Sequence, residues 1–156
     1  MENDLTKIRS VADYQFGKGV GRSLFPENVK ISYSRNTGRI RYVHLEGKRL
    51  ATLRPTDGLF SLSIKGAKRM LEGSDNVKYV VKVRDDVAEF VAEGGVVFAV
   101  HVVEVDEAVR SKDEVVVTDE KRNVLAVGRA ALSGGEMRAF KRGVAVKTRR
   151  GNMDEG

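Results

Sequence analysis

The most informative stretch of this chain runs Leu125-Ala-Val-Gly-Arg-Ala-Ala-Leu-Ser-Gly-Gly-Glu-Met137 and resumes after a short gap as Gly143-Val-Ala-Val-Lys-Thr-Arg149. Its β-branched and small residues predict one strand over 124–132 and a closing strand over 143–148. Between them, Ser133-Gly-Gly-Glu136 is typical of a capping box, which predicts a helical turn that ends near Phe140. The order strand, helical turn, strand indicates a small mixed β structure.

The same stretch is strongly basic. Residues 129–150 contain a single acid, Glu136, and carry a net charge of +6, which equals the net charge of the whole protein. The bases are Arg129, Arg138, Lys141, Arg142, Lys147, Arg149 and Arg150. A basic stripe on β structure favours a polyanionic partner, and nucleic acid in particular.

Composition excludes several other classes of function. The chain has no cysteine, so disulfides and thiolate metal sites are excluded, and its two histidines, His44 and His101, lie far apart in sequence. We therefore predict no metal site and no cofactor. Neither histidine lies in a nucleophile motif, and the acids cluster where caps and turns require them, which argues against an enzyme. The polar N-terminus lacks the apolar core of a signal peptide and no apolar run could cross a bilayer, so the sequence predicts a cytoplasmic protein without membrane contact.

The rest of the chain predicts an α+β fold of two small domains. A first helix begins at Asn3 or Asp4 and ends near Gly17, and strands with period-two alternation follow it. A turn at Pro55-Thr-Asp-Gly58 and a short helix over 67–71 complete the first half. Gly73-Ser-Asp-Asn76 is the best boundary signal. We predict an α+β domain over 1–76, a mixed β pseudo-barrel over 77–150 and a disordered tail over 151–156.

Three segments carry more specific expectations. Gly17-Lys-Gly-Val-Gly21 lacks the spacing of a phosphate-binding loop, so it is interpreted as a flexible or RNA-facing loop. Gly94-Gly95 is expected to end a helix that begins near Asp85 or Asp86. The β-branched run from Val96 to Val105 is interpreted as one long strand.

A second basic surface is expected on the first hairpin, where Arg35, Arg39 and Arg41 flank or line the strands. Cations in these numbers neutralise phosphates without choosing a base sequence. The aromatic residues, Tyr33, Tyr42, Tyr79 and Phe98, are assigned mostly to core-like strand positions. Recognition of a structured RNA by shape and backbone is therefore favoured over stacking on single strands.

The second half resembles a PUA domain, the RNA-binding module named after pseudouridine synthases and archaeosine transglycosylase. The resemblance rests on segments in a specific order: Tyr79-Val-Val-Lys-Val, Gly94-Gly95, Val97-Phe-Ala99, Val109-Arg110, Asp113-Glu-Val-Val-Val, Leu125-Ala-Val-Gly-Arg-Ala and Gly143-Val-Ala-Val-Lys. Upstream, Thr37-Gly-Arg-Ile-Arg-Tyr-Val, Leu53-Arg-Pro-Thr-Asp-Gly-Leu-Phe and Gly66-Ala-Lys-Arg resemble the small α+β domain that precedes the PUA domain in archaeal tRNA-guanine transglycosylases. The catalytic barrel of that family has no counterpart in this chain.

The resemblance implies an archaeal, non-catalytic RNA-binding protein. Its implied contacts are the loop at Gly94, Gly95 and Val96, together with charge from Arg129, Lys141, Arg142, Lys147 and Arg149. The implied ligand is tRNA or another structured RNA such as rRNA, and a separately encoded RNA-modification enzyme is an implied partner. Many PUA domains have Pro-Gly where this chain has Val100-His101, which is a departure from the pattern. The alternative hypothesis is a protein-interaction adaptor in ribosome assembly or enzyme scaffolding, docking through the acidic residues 82–120.

Overall fold

The computed structural model describes residues 2–154, and the chain divides between Val77 and Lys78 into two compact units. We call them the N-terminal unit and the C-terminal unit. The first is a small α+β unit and the second a mixed β barrel that is nearly closed. The predicted α+β class with a pseudo-barrel in the second half is confirmed.

The N-terminal unit packs three helices against a four-stranded antiparallel sheet of order β1-β2-β3-β4. Its elements are α1 (Glu2–Phe16), α2 (Val20–Leu24), β1 (Lys30–Tyr33), β2 (Ile40–Leu45), β3 (Lys48–Leu53), β4 (Phe60–Leu62) and α3 (Ile64–Gly73). The core between the helices and the sheet contains Phe16, Phe25 and Phe60, all fully buried. Such large apolar side chains supply most of the driving force for a unit of this size.

Hydrogen bonds of two polar side chains hold the ends of helices beside this sheet. The buried Gln15 side chain donates to the Phe60 carbonyl at 2.9 Å and accepts from the Phe60 N–H at 2.7 Å, which ties α1 to β4. Ser63 caps α3 by accepting from the Gly66 N–H at 3.0 Å. Both arrangements satisfy backbone groups that burial would otherwise leave without a partner.

The glycine-rich segment at 17–21 differs from its interpretation as a flexible or RNA-facing loop. It is a tight link between α1 and α2, and its last residue, Gly21, already belongs to α2. A methyl group on Gly21 would overlap the Arg9 carbonyl oxygen, and the Gly21 N–H donates to the Asp13 carboxylate at 2.6 Å. The glycine is there because two helices approach closely.

The C-terminal unit is a six-stranded sheet of order β6-β10-β9-β8-β5-β7, in which only the β5–β8 pair is parallel among the described strands. Its elements are β5 (Val80–Val83), α4 (Ala88–Ala92), β6 (Val97–Phe98), β7 (Val102–Val105), β8 (Glu114–Thr118), β9 (Val124–Ala130), α5 (Gly134–Ala139) and β10 (Val144–Gly151), with short 3-10 helices at Asp85–Val87, Ala99–His101 and Asn152–Asp154. The capping box on Ser133 and Glu136 is present as predicted.

The run from Val96 to Val105 is not one strand, contrary to the sequence interpretation. The 3-10 turn Ala99–His101 divides it into β6 and β7, which lie at opposite edges of the sheet. Three residues reach only about 10 Å, so the sheet must curl until its two edges approach each other. The turn therefore closes the barrel, whose interior is filled mainly by valines and alanines.

The predicted disordered tail is also corrected in part. Gly151 is the last residue of β10 and pairs with Ala126 of β9, and Asn152–Asp154 form a 3-10 helix. Strand pairing orders the chain beyond the point where the polar sequence suggests an end. Residues 155 and 156 lie outside the described part of the chain.

Candidate nucleic-acid interface

The loop between α4 and β6 is shaped by a Schellman motif. The Gly94 N–H donates to the Val91 carbonyl and the Gly95 N–H to the Phe90 carbonyl, each at 2.9 Å. Gly94 has φ of +105°, which explains why glycine stands there. Both predicted glycines therefore use their N–H groups inside the protein. The Phe90 ring lies against Gly95, since a methyl group added to Gly95 would overlap it. The loop therefore presents this ring, which is 52% exposed, as well as backbone.

This loop lies against the closing strand. Thr148 of β10 donates its hydroxyl to the Gly95 carbonyl at 2.8 Å, and Val146 pairs with Val97 just after Val96. Two parts of the predicted site, whose contacting residues Gly95 and Thr148 are 53 residues apart in sequence, thus lie side by side. The structure brings the loop and β10 together.

The opposite side of β10 holds two like charges side by side. Arg129 of β9 and Lys147 of β10 are direct cross-strand partners, and both are exposed. Among the described residues no carboxylate forms an ion pair with either side chain. Like charges in this position repel each other, and a bound polyanion would remove that repulsion. On its other side Arg129 is the cross-strand partner of Glu114 of β8, whose carboxylate offsets part of the repulsion.

Arg149 has a different environment. Its guanidinium binds the Glu114 carboxylate through two contacts of 2.9 and 2.5 Å, and the Glu114 side chain is fully buried. A buried carboxylate requires such a partner. The positive charge of Arg149 is therefore largely neutralised within the barrel wall, although the sequence analysis assigned it to RNA.

Lys141 and Arg142 lie in the exposed loop between α5 and β10. The loop is anchored where the Gly143 carbonyl accepts from the Ala99 N–H at 2.9 Å, beside β6. Neither cation has an ion pair among the described side chains. Both are available to an anion approaching the edge formed by β6 and β10.

Two aromatic residues assigned to core-like positions are at the surface instead. Tyr33 is 44% exposed and Phe98 is 38% exposed. The reason is that β1 and β6 are edge strands, which the alternation of residues alone does not reveal. Phe98 packs edge-on against His101, with ring centroids 6.1 Å apart, and pairs with Val144 of β10. It is a surface ring beside the cations that sequence reasoning missed.

The tyrosine that is exposed on β1 is held by a carboxylate. The Tyr33 hydroxyl donates to Asp4 at 2.5 Å, and this hydrogen bond, with desolvation and the charge of Asp4, raises the pKa of Tyr33 above its ordinary value. Tyr33 therefore remains a neutral donor throughout the physiological range.

In the N-terminal unit, Arg39 and Arg41 line one pocket of about 400 Å³, whereas Arg35, in the same turn, is exposed and does not line it. The remaining lining residues are Ser34, Asn36, Thr37, Ile40, Leu53, Arg54, Pro55 and Gly58. The structure thus separates the three hairpin arginines into two that converge and one that does not.

The acidic stretch 82–120 does not form a free acidic face. Glu104 pairs with Lys82 at 3.1 Å and Glu107 pairs with Arg138 at 3.0 Å. Asp85 and Glu120 each accept from the backbone N–H of the other, at 3.0 and 3.1 Å. Most of this negative charge is used in ion pairs, caps and turns.

The described residues also include no group of three His, Cys, Asp or Glu side chains arranged to hold a metal ion. No described helix has the length and apolar character needed to cross a membrane.

Comparison with known proteins assigns both halves of the chain. Residues 6–76 match the patch-forming domain C2 of tRNA-guanine transglycosylase, and residues 79–151 match the PUA domain. The tRNA-guanine(15) transglycosylase of Methanothermobacter thermautotrophicus is 40% identical over 151 residues, which are 97% of this chain and 23% of that protein. The corresponding protein of Methanobrevibacter smithii is 44% identical over 151 residues, 96% of this chain and 23% of its own length. The chain spans about a quarter of the length of the curated relatives it matches.

Solved structures show the same fold. A hypothetical protein from Pyrococcus horikoshii superposes with a TM-score of 0.77 at 22% identity, covering 99% of this chain and 93% of that one. A conserved PUA domain protein from Thermoplasma acidophilum gives 0.69 at 20% identity, covering 99% of this chain and 91% of that one. At these identities the likeness concerns the fold alone.

Proposed function

The chain consists of a C2 domain of the tRNA-guanine transglycosylase type followed by a PUA domain, and we propose that it is a non-catalytic protein that binds tRNA or another structured RNA. The relatives at 40% and 44% identity are named for a reaction on tRNA. Binding uses phosphate and groove-shape contacts rather than base readout, since cations outnumber exposed rings on the candidate surface.

The observation that carries this proposal is the pair Arg129 and Lys147. The two cations lie directly opposite each other on adjacent strands, and neither forms an ion pair among the described residues, although Arg129 also lies opposite the buried Glu114 on its other side. Lys141 and Arg142 add charge in the loop before β10. An RNA backbone laid along the exposed face of β9 and β10 would meet these cations.

The finer part of the proposal concerns partners. We propose that the chain acts as an accessory RNA-binding subunit for a separately encoded modification enzyme, because the relatives that share this stretch are named for a reaction on tRNA. The test is to add the full chain to a transglycosylase partner and measure the rate of base exchange in tRNA. A rate that does not change would remove the accessory role, while leaving RNA binding untouched.

RNA binding is tested by fluorescence anisotropy with labelled tRNA at several salt concentrations. We expect the affinity for tRNA to fall steeply between low and moderate salt. The slope of log affinity against log salt concentration should be about −1 for each cation in contact with a phosphate. The double variant Lys141→Gln/Arg142→Gln should weaken binding about tenfold and reduce the slope.

The matched control is Lys121→Gln, which removes the same kind of charge from the exposed β8–β9 turn at the other end of β9. Its affinity should stay within about twofold of the wild type. Binding that is absent at low salt, or that Lys121→Gln weakens as much as the double variant, would contradict the proposal.

The adaptor hypothesis remains a prediction with less support, because most acids of the stretch 82–120 have partners inside the C-terminal unit. A protein-docking surface that is mainly apolar would hold its affinity as salt rises. The salt series therefore separates the two hypotheses.

A further inference from the structure

The N-terminal unit contains two hairpin turns of the same design, 20 residues apart in sequence. In the first, the Ser34 N–H donates to the Arg39 carbonyl at 2.8 Å and the Gly38 N–H to the Ser34 carbonyl at 2.9 Å. In the second, the Arg54 N–H donates to the Leu59 carbonyl at 2.8 Å and the Gly58 N–H to the Arg54 carbonyl at 2.9 Å. Both glycines have φ of +71°. The sheet order places both turns at the same end of the sheet, because β2 and β3 are neighbours.

The pocket of about 400 Å³ lies between these twin turns. Three arginines line it, Arg39 and Arg41 from one hairpin and Arg54 from the other, and hydroxyl and amide groups come from Ser34, Thr37 and Asn36. No acidic side chain belongs to the described lining. Three cationic residues thus line a cavity whose described lining has no carboxylate, which suits an anion.

One of the three guanidinium groups is already fixed in place. Arg54 is 8% exposed and binds Asp57 through contacts of 3.2 and 2.9 Å, while Asp57 also accepts from the Leu59 N–H at 3.0 Å. Asp57 neutralises one positive charge, so the pocket and its supporting residue together carry +2. The turn holds Arg54 before any ligand arrives, which lowers the entropic cost of binding.

The apolar part of the lining distinguishes this pocket from a bare phosphate site. Ile40, Leu53 and Pro55 provide a hydrophobic wall beside the arginines. Pockets for small ligands run from about 300 to 1,000 Å³, so this one takes a single nucleotide rather than a stretch of helix. A nucleotide combines a phosphate with a flat, weakly polar base, and the lining offers a complement to each.

We propose that the pocket between the twin turns binds one nucleoside monophosphate unit, with its phosphate held by Arg39, Arg41 and Arg54. This inference rests on the proposed function, because an RNA-binding protein would take that unit from RNA: a terminal nucleotide or one turned out of a helix. A free mononucleotide shares the same chemistry, and the two sources are separated by the arms of the experiment.

The experiment follows amide and arginine side-chain signals of the full chain by nuclear magnetic resonance during titration with adenosine 5′-monophosphate, adenosine or inorganic phosphate. The monophosphate should move the signals of Gly38, Gly58 and the Arg39 side chain in a saturable way. Adenosine and inorganic phosphate should each bind at least about tenfold more weakly, because each lacks one of the two recognised parts. Equal binding of phosphate and monophosphate would overturn the claim that a nucleotide is recognised.

Arg35 provides the matched control, because it lies in the same turn as Arg39 but does not line the pocket. Arg39→Gln and Arg41→Gln should each weaken monophosphate binding about tenfold, and Arg35→Gln by less than about twofold. All three positions are at least partly exposed, so the variants should fold, which their unchanged amide spectra would verify. Equal weakening by Arg35→Gln would overturn the proposal.

A parallel titration with tRNA separates this inference from the proposed function. If tRNA binds and displaces the monophosphate, the pocket takes its nucleotide from RNA. If tRNA binds while the monophosphate leaves the pocket signals unmoved, the pocket proposal fails and the proposed function stands. If the monophosphate binds and tRNA does not, the proposed function and the RNA source both fail, and the site takes a free nucleotide.

Discussion

Both units contain clusters of arginine and lysine, but the surroundings of the charged groups differ between the two units. In the C-terminal unit Arg129 and Lys147 are exposed cross-strand neighbours on β9 and β10, and neither forms an ion pair among the described residues. In the N-terminal unit Arg39, Arg41 and Arg54 converge on a pocket, and Asp57 holds one of them. Exposed cations on two adjacent strands suit a long polyanion with many phosphates, whereas a pocket suits a single phosphate. Net charge per segment does not distinguish the two.

The largest effect is expected at Arg149, the cation of β10 whose role is structural. Arg149→Met leaves the fully buried Glu114 without its bidentate partner, so the free energy of unfolding should fall by about 3 kcal/mol. Lys147→Met, two residues away and exposed, should change it by less than about 0.5 kcal/mol. Urea denaturation followed by circular dichroism measures both. Equal losses would mean that Arg149 is no more structural than Lys147.

The pair Arg129 and Lys147 should contribute to the affinity for RNA rather than to the stability of the fold. Arg129→Gln/Lys147→Gln should weaken tRNA binding about tenfold and lower the salt slope by about two units. The variant removes the like-charge contact across the sheet, but it also removes the cation that lies opposite the buried Glu114, so its stability should stay within about 0.5 kcal/mol of the wild type. Anisotropy and urea denaturation test the two expectations separately, and a variant that loses stability would show that the pair supports the fold.

The pocket should depend on the residue that orients its deepest arginine. Asp57→Asn removes the charged partner of Arg54 but retains an oxygen for the Leu59 N–H. We expect monophosphate binding to weaken about threefold, since the Arg54 guanidinium is no longer held in place. Binding of tRNA through Arg129 and Lys147 of the C-terminal unit should change little. Tighter monophosphate binding would indicate that Asp57 competes with the ligand rather than supporting the site.

The smallest effect is expected for the pH dependence of stability that Asp119 contributes, in a turn where its carboxylate accepts backbone hydrogen bonds as that of Asp57 does. Partial burial raises the pKa of Asp119, but hydrogen bonds from the Asn123 side chain and from the backbone N–H groups of Asn123 and Lys121 outweigh it and lower the pKa below its ordinary value. A carboxylate with a lowered pKa stabilises the fold above its unfolded pKa of about 4, and this contribution is lost as pH falls through the folded value.

Asp119→Asn should therefore be less stable than the wild type at pH 7, by less than about 1 kcal/mol, and the difference should shrink at pH 3. Urea denaturation at both pH values provides the measurement. A difference that grows as the pH is lowered would contradict the assignment.

Much of the fold follows from local patterns. The capping box at Ser133, the glycine stop after α4 and the strands β2, β8 and β9 were all predictable, because each depends on residues close together in sequence. The break at Ala99–His101 was not, since Val96 to Val105 is rich in valine on both sides of the break and only closure of the barrel bends it. Edge strands were equally hidden, so Tyr33 and Phe98 were assigned to the core.

For the candidate site, the sequence by itself determined which residues are charged and that the last segments carry the excess. Only the tertiary structure decided which of those charges are available. Arg149 and Lys147 are two residues apart, yet Glu114 on β8, 35 residues from Arg149, supplies a buried carboxylate to Arg149 and not to Lys147. Likewise Arg35 and Arg39 occupy one turn, but a second turn 20 residues away makes a pocket for Arg39 alone. Electrostatic pairing and concavity depend on distances in space, which no local pattern of residues specifies.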